Sequence, residues 1–364
     1  MKVSGRWRRS IEPDPDGGSV LVLDQTRLPH EIRWLALADL DAAARAIGDM
    51  TIRGAPLIGA VAAWGVALAL RADPSDAGLA RACAVLAATR PTAINLRWAL
   101  DAMWAQVAAL PLDERAAAAA RAAARICDGD VAMCEAIGRH GAALIRGIAV
   151  TIQRPVRVLT HCNAGWLATV DWGTALAPIY QAHEAGIAVH VWVDETRPRN
   201  QGMLTAWELA QHGVPHTVIV DNAGGHLMQR GLVDLCIVGT DRTTRNGDVC
   251  NKIGTYLKAL AAHDNGVPFY AAVPSPSIDW TVGDPVDIPI EERTGDEVRF
   301  VTGRDPTGAV AQIELVPPGI AVANPAFDVT PRRLVTGLIT ERGVATASRA
   351  GLAGLFPEYQ GAGS

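Results

Sequence analysis

The feature that most constrains this chain is a change of sequence period near residue 150. From about residue 34 to residue 148 the chain is Ala-rich and reads helical; positions 115–125 contain only Ala and Arg, with Asp113 and Glu114 ahead of them where a helix start favours acids. From Pro155 onward, short apolar runs (156–162, 187–194, 217–221, 233–241 and 269–273) alternate with helical segments (175–185, 204–212 and 252–263), each of which closes on a Gly shortly afterwards. Such alternation predicts βαβ units and a parallel sheet. The expected fold is α/β: a mainly helical N-terminal domain over residues 1–150, followed by a Rossmann-like parallel-sheet C-terminal domain over residues 151–364. Two domains also suit 364 residues, at roughly 100 to 200 residues each. Ahead of the helices, 19–24 (SVLVLD) reads as a short strand preceded by a turn at 13–18, and the Pro-, Gly- and charge-rich segment 282–319 reads as a loop and hairpin on the main sheet.

Several function classes are excluded at this level. A formal net charge of −5, without a dense run of Lys or Arg, leaves no electrostatic footprint for nucleic acid or an anionic membrane. The basic N-terminus runs into Pro, Asp and Gly where a signal peptide would place its apolar stretch. The apolar run 57–70 contains Gly59 and Gly65 and falls short of the roughly 20 residues that cross a bilayer, so it reads as a buried helix. Cys83, Cys127, Cys134, Cys162, Cys236 and Cys250 are scattered without a CxxC pair, which predicts a reduced, cytoplasmic protein. Neither GxGxxG nor GxxxxGK[ST] is present, nor a carboxylate and His cluster of metal-site spacing; no cofactor and no metal are expected, and a small molecule is the expected partner.

In an open parallel sheet, ligands bind outside the carboxyl ends of the strands. Here those ends are polar: Thr160-His161-Cys162-Asn163-Ala164-Gly165, Asp194-Glu195-Thr196-Arg197, Asp221-Asn222 and Gly239-Thr240-Asp241-Arg242. Cys162 leaves a strand at an expected helix start, where free N–H groups and the helix dipole favour a thiolate that acts as base or nucleophile. His161 is its neighbour, but successive strand residues point to opposite faces, so an adjacent Cys-His dyad is not expected. Asp241 ends VDLCIVGTD at the mouth of an apolar-walled site, where desolvation raises a carboxyl enough to serve as general acid. Anion anchors are offered by Arg53, just ahead of a helix opened by Gly54-Ala55-Pro56, by Arg90 in Arg90-Pro91-Thr92, and by Asn251-Lys252 at the start of another helix.

The segments IRGAPLIG, RPTAINL, THCNAGWLAT, DETRPRNQG, VGTDR, GDVCNKIGTY, FYAAVPSPSID, IPIEER, NPAFDVTP and LITERG resemble the methylthioribose-1-phosphate isomerase family, in order and over nearly the whole chain. That family shares its fold with ribose-1,5-bisphosphate isomerase and the regulatory subunits of translation initiation factor 2B, from which the Cys and Asp pair separates the catalysts. The resemblance implies Cys162 and Asp241 as catalytic residues, and substrate contacts from Arg53, Gly54, Ala55, Arg90, Gln201, Asn251 and Lys252. It further implies a homodimer, no cofactor, a sugar 1-phosphate substrate and a place in methionine salvage. Two departures stand out. After Gln201-Gly202 the family reads Ala-Arg-Leu-Thr-Ala-Trp-Glu, whereas here Met203 leads directly into Leu204-Thr205-Ala206-Trp207-Glu208, and Val170-Asp171-Trp172 follows LAT where Gly-rich sequence is usual.

The reaction so implied needs a proton on the sugar ring oxygen and an activated C–H bond, because a phosphorylated anomeric oxygen prevents ring opening by mutarotation. Asp241 as acid and Cys162 as base meet both needs through an enolate; a hydride shift between C2 and C1 is the other route. Isomerases of 5-deoxyribose 1-phosphate or ribose 1,5-bisphosphate would use the same chemistry, while a cysteine hydrolase would need a His near the thiol, and a non-catalytic translation-factor-like regulator would lack the pair. An apolar wall for the 5-substituent is expected from Trp166, Leu167 and Trp172, with no further basic residue in the matched motifs for a second phosphate.

Overall fold

A computed structural model describes residues 1–15 and 18–360, so Asp16 and Gly17 in the expected turn, and the last four residues of the chain, lie outside the described residues. The chain opens with two short paired strands, β1 (Lys2–Val3) and β2 (Arg6–Trp7), and a three-stranded antiparallel sheet of β3 (Ile11–Pro13), β4 (Val20–Leu23) and β5 (Trp34–Leu37). Five helices follow: α1 (Leu40–Gly48), α2 (Ala55–Ala72), α3 (Asp76–Thr89), α4 (Ile94–Val107) and α5 (Leu112–Ala149). Small side chains let α2 sit in the middle of this bundle, packed by α1, α3, α4 and α5, and its apolar run is buried inside the protein. The Arg residues of the Ala-rich stretch are not all solvent-facing. Arg115 is buried and donates to the carbonyls of Ala108 at 2.7 Å and Leu110 at 3.0 Å just beyond the end of α4, where a helix welcomes a cation.

A seven-stranded sheet is built from β6 (Val156–Thr160), β7 (Val189–Asp194), β8 (His216–Ile219) and β9 (Leu235–Val238), then β12 (Phe269–Ala272), β17 (Gly337–Thr340) and β18 (Gly343–Ala345). Its order is β18-β17-β12-β9-β6-β7-β8, parallel throughout except for the β17–β18 hairpin. The crossovers carry α6 (Ala177–Glu184), α7 (Gln201–Gln211), α8 (Ala223–Gln229) and α9 (Thr255–Asp264). Strands β7 and β8 add to one side of β6 and β9 adds to the other, so the order reverses between β6 and β9. A crevice opens where two neighbouring crossovers leave on opposite faces, and here it lies outside the ends of those two strands.

Between β9 and β12 the chain departs from simple βαβ winding. Strands β10 (Arg242–Thr244) and β11 (Val249–Lys252) form an antiparallel hairpin, part of a second sheet ordered β13-β10-β11-β16 with β13 (Ile278–Asp279) and β16 (Phe327–Thr330). The hairpin expected in 282–319 also forms, as β14 (Phe300–Arg304) and β15 (Val310–Glu314), but as a separate two-stranded sheet rather than on the main one. The exposed pattern of β15 shows why: a strand in the main sheet would have to bury apolar residues on both faces.

Helix α5 runs 38 residues, about 57 Å at 1.5 Å per residue, and packs on α2 and α4 with one part and on α6 and β17 with another. Its Asp130 is buried and accepts the Val170 N–H at 2.7 Å, tying the helix to the loop after β6. Burial pushes the Asp130 carboxyl up to about 7, opposed by the Val170 bond. In the unfolded chain it titrates near 3.9. The stability it contributes is therefore fully present below about pH 4 and is lost as pH rises through about 7. Thermal unfolding across pH 5 to 8 is expected to show Asp130→Asn gaining on the wild-type protein as pH rises to about 7, with a differential on the order of 1 kcal/mol per pH unit, and levelling off above it.

Candidate active site

Thr160 is the last residue of β6, and two residues later Cys162 turns the chain sharply, with φ of 68°. A non-Gly residue in this left-handed region costs on the order of 1 kcal/mol, so something must hold it there. Its N–H donates to Thr196 Oγ1 at 2.8 Å, and its carbonyl accepts from Thr205 Oγ1 at 2.8 Å. No helix starts at Cys162, contrary to expectation: the turn leads to a three-residue 3-10 helix at Trp166–Ala168, and α6 begins only at Ala177. A helix beginning at Cys162 itself is thus not what acts on the thiol. Burial pushes the Cys162 thiol above its ordinary value, Arg53 and Lys252 pull it back, and Asp241 adds to the rise.

Asp241 follows β9 and leads into β10, with no helix behind it to cap. Its N–H donates to the Cys250 carbonyl at 3.0 Å across the hairpin. Burial raises the Asp241 carboxyl above the usual carboxylate range, and Lys252, Arg90 and Arg53 oppose that rise. The two loops meet because Gly239 has no side chain: a Cβ there would stand 2.7 Å from Ala164 Cβ.

Arg53 precedes α2 and is buried, with Nε donating to Gln25 Oε1 at 3.0 Å and Nη1 to the Asn163 carbonyl at 3.0 Å, while Nη2 donates to Asn163 Oδ1. Gly54, at φ of 95°, N-caps α2 without a side chain, and a Cβ there would lie 2.4 Å from Ala168 Cα. The start of α2 therefore presents bare backbone N–H groups, the usual cradle for an anion. Asn251 and Lys252 are the last residues of β11 rather than the first of a helix; Lys252 donates from Nζ to the Ala326 carbonyl at 2.8 Å and lies 4.8 Å from the Phe327 ring centroid. Arg90 ends α3, with Nη2 on Glu291 at 3.2 Å and a buried Nε that has no partner among the described residues. Gln201 opens α7 just before the departure from the family pattern at Met203, buried, with Oε1 also unpartnered among the described residues.

All nine residues singled out in the sequence line one cavity: Arg53, Gly54, Ala55, Arg90, Cys162, Gln201, Asp241, Asn251 and Lys252. The aromatic wall is different from the expected one. Trp166 and Leu167 are fully buried and Trp172 packs against the same core, because the turn at Cys162 sends this segment inward; the cavity's apolar surface comes instead from Met50, Ile58, Ile288, Pro289 and Phe327. Arg242 and Arg293, which belong to the matched VGTDR and IPIEER motifs, also line it, so basic residues beyond the expected anchors are present. Their charges are answered: Arg242 lies 3.1 Å from Asp279, and Arg293 lies 2.6 Å from Glu297.

His161 is turned to other work, although both it and Cys162 lie beyond the end of β6, where strand alternation no longer applies. Nδ1 lies 2.9 Å from Asp194 Oδ2 and Nε2 lies 2.8 Å from the Ile253 carbonyl. His161, Asp194 and Asp221 come close enough to share an ion, a grouping of three strand ends that linear spacing cannot show. Lys258 already supplies the cation there, 3.3 Å from Asp194 Oδ2 and donating to the Asp221 carbonyl.

Comparison with known proteins gives the family. Residues 51–347 match the initiation factor 2 subunit family. The methylthioribose-1-phosphate isomerase of Rhodospirillum rubrum is 64% identical over 366 residues, covering 98% of this chain and 94% of the relative. The chain belongs to the methylthioribose-1-phosphate isomerase family. It is an enzyme, an aldose–ketose isomerase of sugar phosphates. Among solved structures, the 5-methylthioribose 1-phosphate isomerase of Pyrococcus horikoshii superposes with a TM-score of 0.82 at 38% identity, covering 97% of each chain. Translation initiation factor eIF-2B, subunit delta, from A. fulgidus gives 0.80 at 37%, covering 96% of this chain and 100% of that one. An isomerase and a factor subunit thus share this fold, and overall shape does not separate them.

Lys252 is nearly fully buried, and its ammonium and the Cys162 thiol each act on the other's titration. Removing that cation takes away part of what lowers the thiol. Lys252→Met is expected to move the pH midpoint of Cys162 alkylation by iodoacetamide to higher pH, read by mass spectrometry of the Cys162 peptide over a pH series.

Proposed function

We propose that this enzyme converts S-methyl-5-thioribose 1-phosphate to S-methyl-5-thioribulose 1-phosphate in methionine salvage, without a cofactor, with Asp241 as general acid and Cys162 as base. The observation that carries the reading is the placement of one half-buried carboxyl and one half-buried thiol on a single cavity with Arg53, Arg90 and Lys252. Desolvation moves the Asp241 carboxyl upward, the direction a general acid needs. Asp241 gives that proton to the ring oxygen as the C1–O bond breaks. Cys162 takes the proton from C2 and returns it to C1, and the C2 hydroxyl proton passes to Asp241, so acid and base end as they began. The cations beside the thiol lower the cost of its ionisation and of the enolate charge.

The division of labour follows the chain. Residues 1–150 supply Arg53, the α2 start at Gly54-Ala55, and Arg90 for the phosphate; residues 151–364 supply Cys162, Asp241, Gln201, Asn251 and Lys252. Relatives at 61 to 66% identity over 98% of this chain are methylthioribose-1-phosphate isomerases, which supports the substrate. A cytoplasmic homodimer completes the reading, and six free cysteines suit a reducing compartment.

Cys162→Ser and Asp241→Asn are each expected to lower kcat by about 100-fold or more with little change in KM, measured by steady-state turnover, as when a proton-transfer group leaves an otherwise intact pocket. Wild-type turnover in either variant removes that residue from the reaction.

Specificity at C5 follows from the charge pattern. Arg242 and Arg293 are committed to Asp279 and Glu297, and Arg90 is half committed to Glu291, which leaves cationic capacity for one dianion. A second buried phosphate would lack partners, at a cost of several kcal/mol. The methylthio sugar is therefore expected to show kcat/KM at least about 100-fold above ribose 1,5-bisphosphate, while 5-deoxyribose 1-phosphate falls only modestly, since apolar pockets discriminate weakly against a smaller group. Equal kcat/KM for the bisphosphate moves the substrate assignment to that sugar.

A further inference from the structure

Glu208 takes no part in the chemistry above, yet it is a fully buried carboxylate on α7 behind the cavity. Four donors reach it. Oε1 accepts from Asn163 Nδ2 at 2.8 Å and from the Leu167 N–H at 3.1 Å; Oε2 accepts from the Trp166 N–H at 2.9 Å and from the Tyr180 hydroxyl at 3.0 Å. An ionised carboxylate accepts about four bonds and donates none, so this set suits the charged form and saturates it. Burial pushes Glu208 up, while its bonds to Asn163, Leu167 and Tyr180 and the nearby Arg53 pull it back.

We propose that Glu208 is a positioning residue: by fixing which end of the Asn163 amide faces Arg53, it holds the Arg53 guanidinium beside Cys162 and the phosphate site. With Nδ2 committed to Glu208 and to Thr205 Oγ1 at 3.2 Å, Asn163 presents its Oδ1 to Arg53 Nη2, and its own carbonyl accepts from Nη1. A flipped amide would set NH₂ against the guanidinium and oxygen against the carboxylate, two repulsions at once. The other two backbone donors belong to Trp166 and Leu167, which begin the 3-10 helix on whose Ala168 the start of α2 rests at Gly54. One carboxylate thereby sets both the arginine and the bare N–H groups that face the same anion. The proposal rests on the assignment of Cys162 and Arg53 given above.

Glu208→Gln keeps the shape but offers one acceptor oxygen in place of two, so at least one buried donor loses its partner. The expected result is a fall in kcat/KM and a rise in the inhibition constant of inorganic phosphate, each about 10-fold or more, together with an alkaline shift of the Cys162 alkylation midpoint. Asn163→Ala should give the same shift, and the double variant no more than the larger single one, as for two links of one chain. A merely structural Glu208 would lower the melting temperature and leave alkylation and phosphate inhibition as in the wild-type protein; that result overturns the proposal, as does an additive double variant. Should Glu208→Gln fail to fold, Asn163→Ala keeps the backbone bonds to Glu208 and carries the same expectation, and an unshifted alkylation profile overturns it. The alkylation midpoint, and the inorganic phosphate concentration that protects Cys162 from alkylation, are read without the sugar substrate, so a different true substrate leaves these two readouts intact.

Discussion

A buried guanidinium has to be answered by acceptors, and Arg53 is answered from three directions. Gln25 from the N-terminal sheet region, and the backbone and side chain of Asn163 from the loop after β6, converge on a residue that precedes α2. Leaving any of these acceptors out would strand a charge in a region of low dielectric, at a cost of several kcal/mol. The helical half and the sheet half are therefore registered against each other at the point where the cavity forms. Cys162, Asp241 and Lys252 inherit their surroundings from that registration, since the same cation acts on the titration of both the thiol and the carboxyl.

Much of this was legible in the chain, for physical reasons that particular residues make clear. Short apolar runs ending in polar clusters mark buried parallel strands, and the cavity formed where those clusters predict, outside β6 and β9. The helix start at Cys162 failed because a single left-handed residue turns the chain after the strand, and eleven residues, with only a short 3-10 helix at Trp166–Ala168, intervene between Gly165 and Ala177 in ways no propensity encodes. The β10–β11 hairpin was missed because Asp241-Arg242-Thr243-Thr244 reads as a loop until Val249–Lys252 pairs with it and β16 covers it. Trp166 and Leu167 looked like a ligand wall by proximity to Cys162, whereas the chain reversal turns them into core. Met50, Ile288, Pro289 and Phe327 come from segments nearly 280 residues apart, and only the fold assembles them; Arg293 and Asn163 sat inside motifs already singled out, and their chemistry was the available signal.

The likeness to both an isomerase and a factor subunit puts the weight of function on side chains rather than architecture. The cavity is built so that polar groups with spare capacity, such as the Nε of Arg90 and the Oε1 of Gln201, stand among others whose capacity is spent on neighbouring acids. That balance decides how much negative charge a ligand can bring. It also explains why substitutions far from the thiol, at Glu291 or Glu297, would alter what the pocket accepts without altering its shape.

Helix α5 has a mechanical meaning. One unbroken rod lies along the bundle through α2 and α4 and along the sheet through α6 and β17, with Asp130 pinned to the backbone of the loop after β6. A splint of that kind opposes any hinge between the two halves, because bending it would break hydrogen bonds along its middle turns. Opening and closing around a ligand then falls to the lighter parts of the wall. The stretch carrying Ile288, Pro289 and Arg293 is bound to the rest through ion pairs such as Arg90–Glu291 and Arg199–Glu297. Those pairs lie largely out of solvent, where salt screens charge weakly, so this wall is held by contacts that ionic strength barely touches.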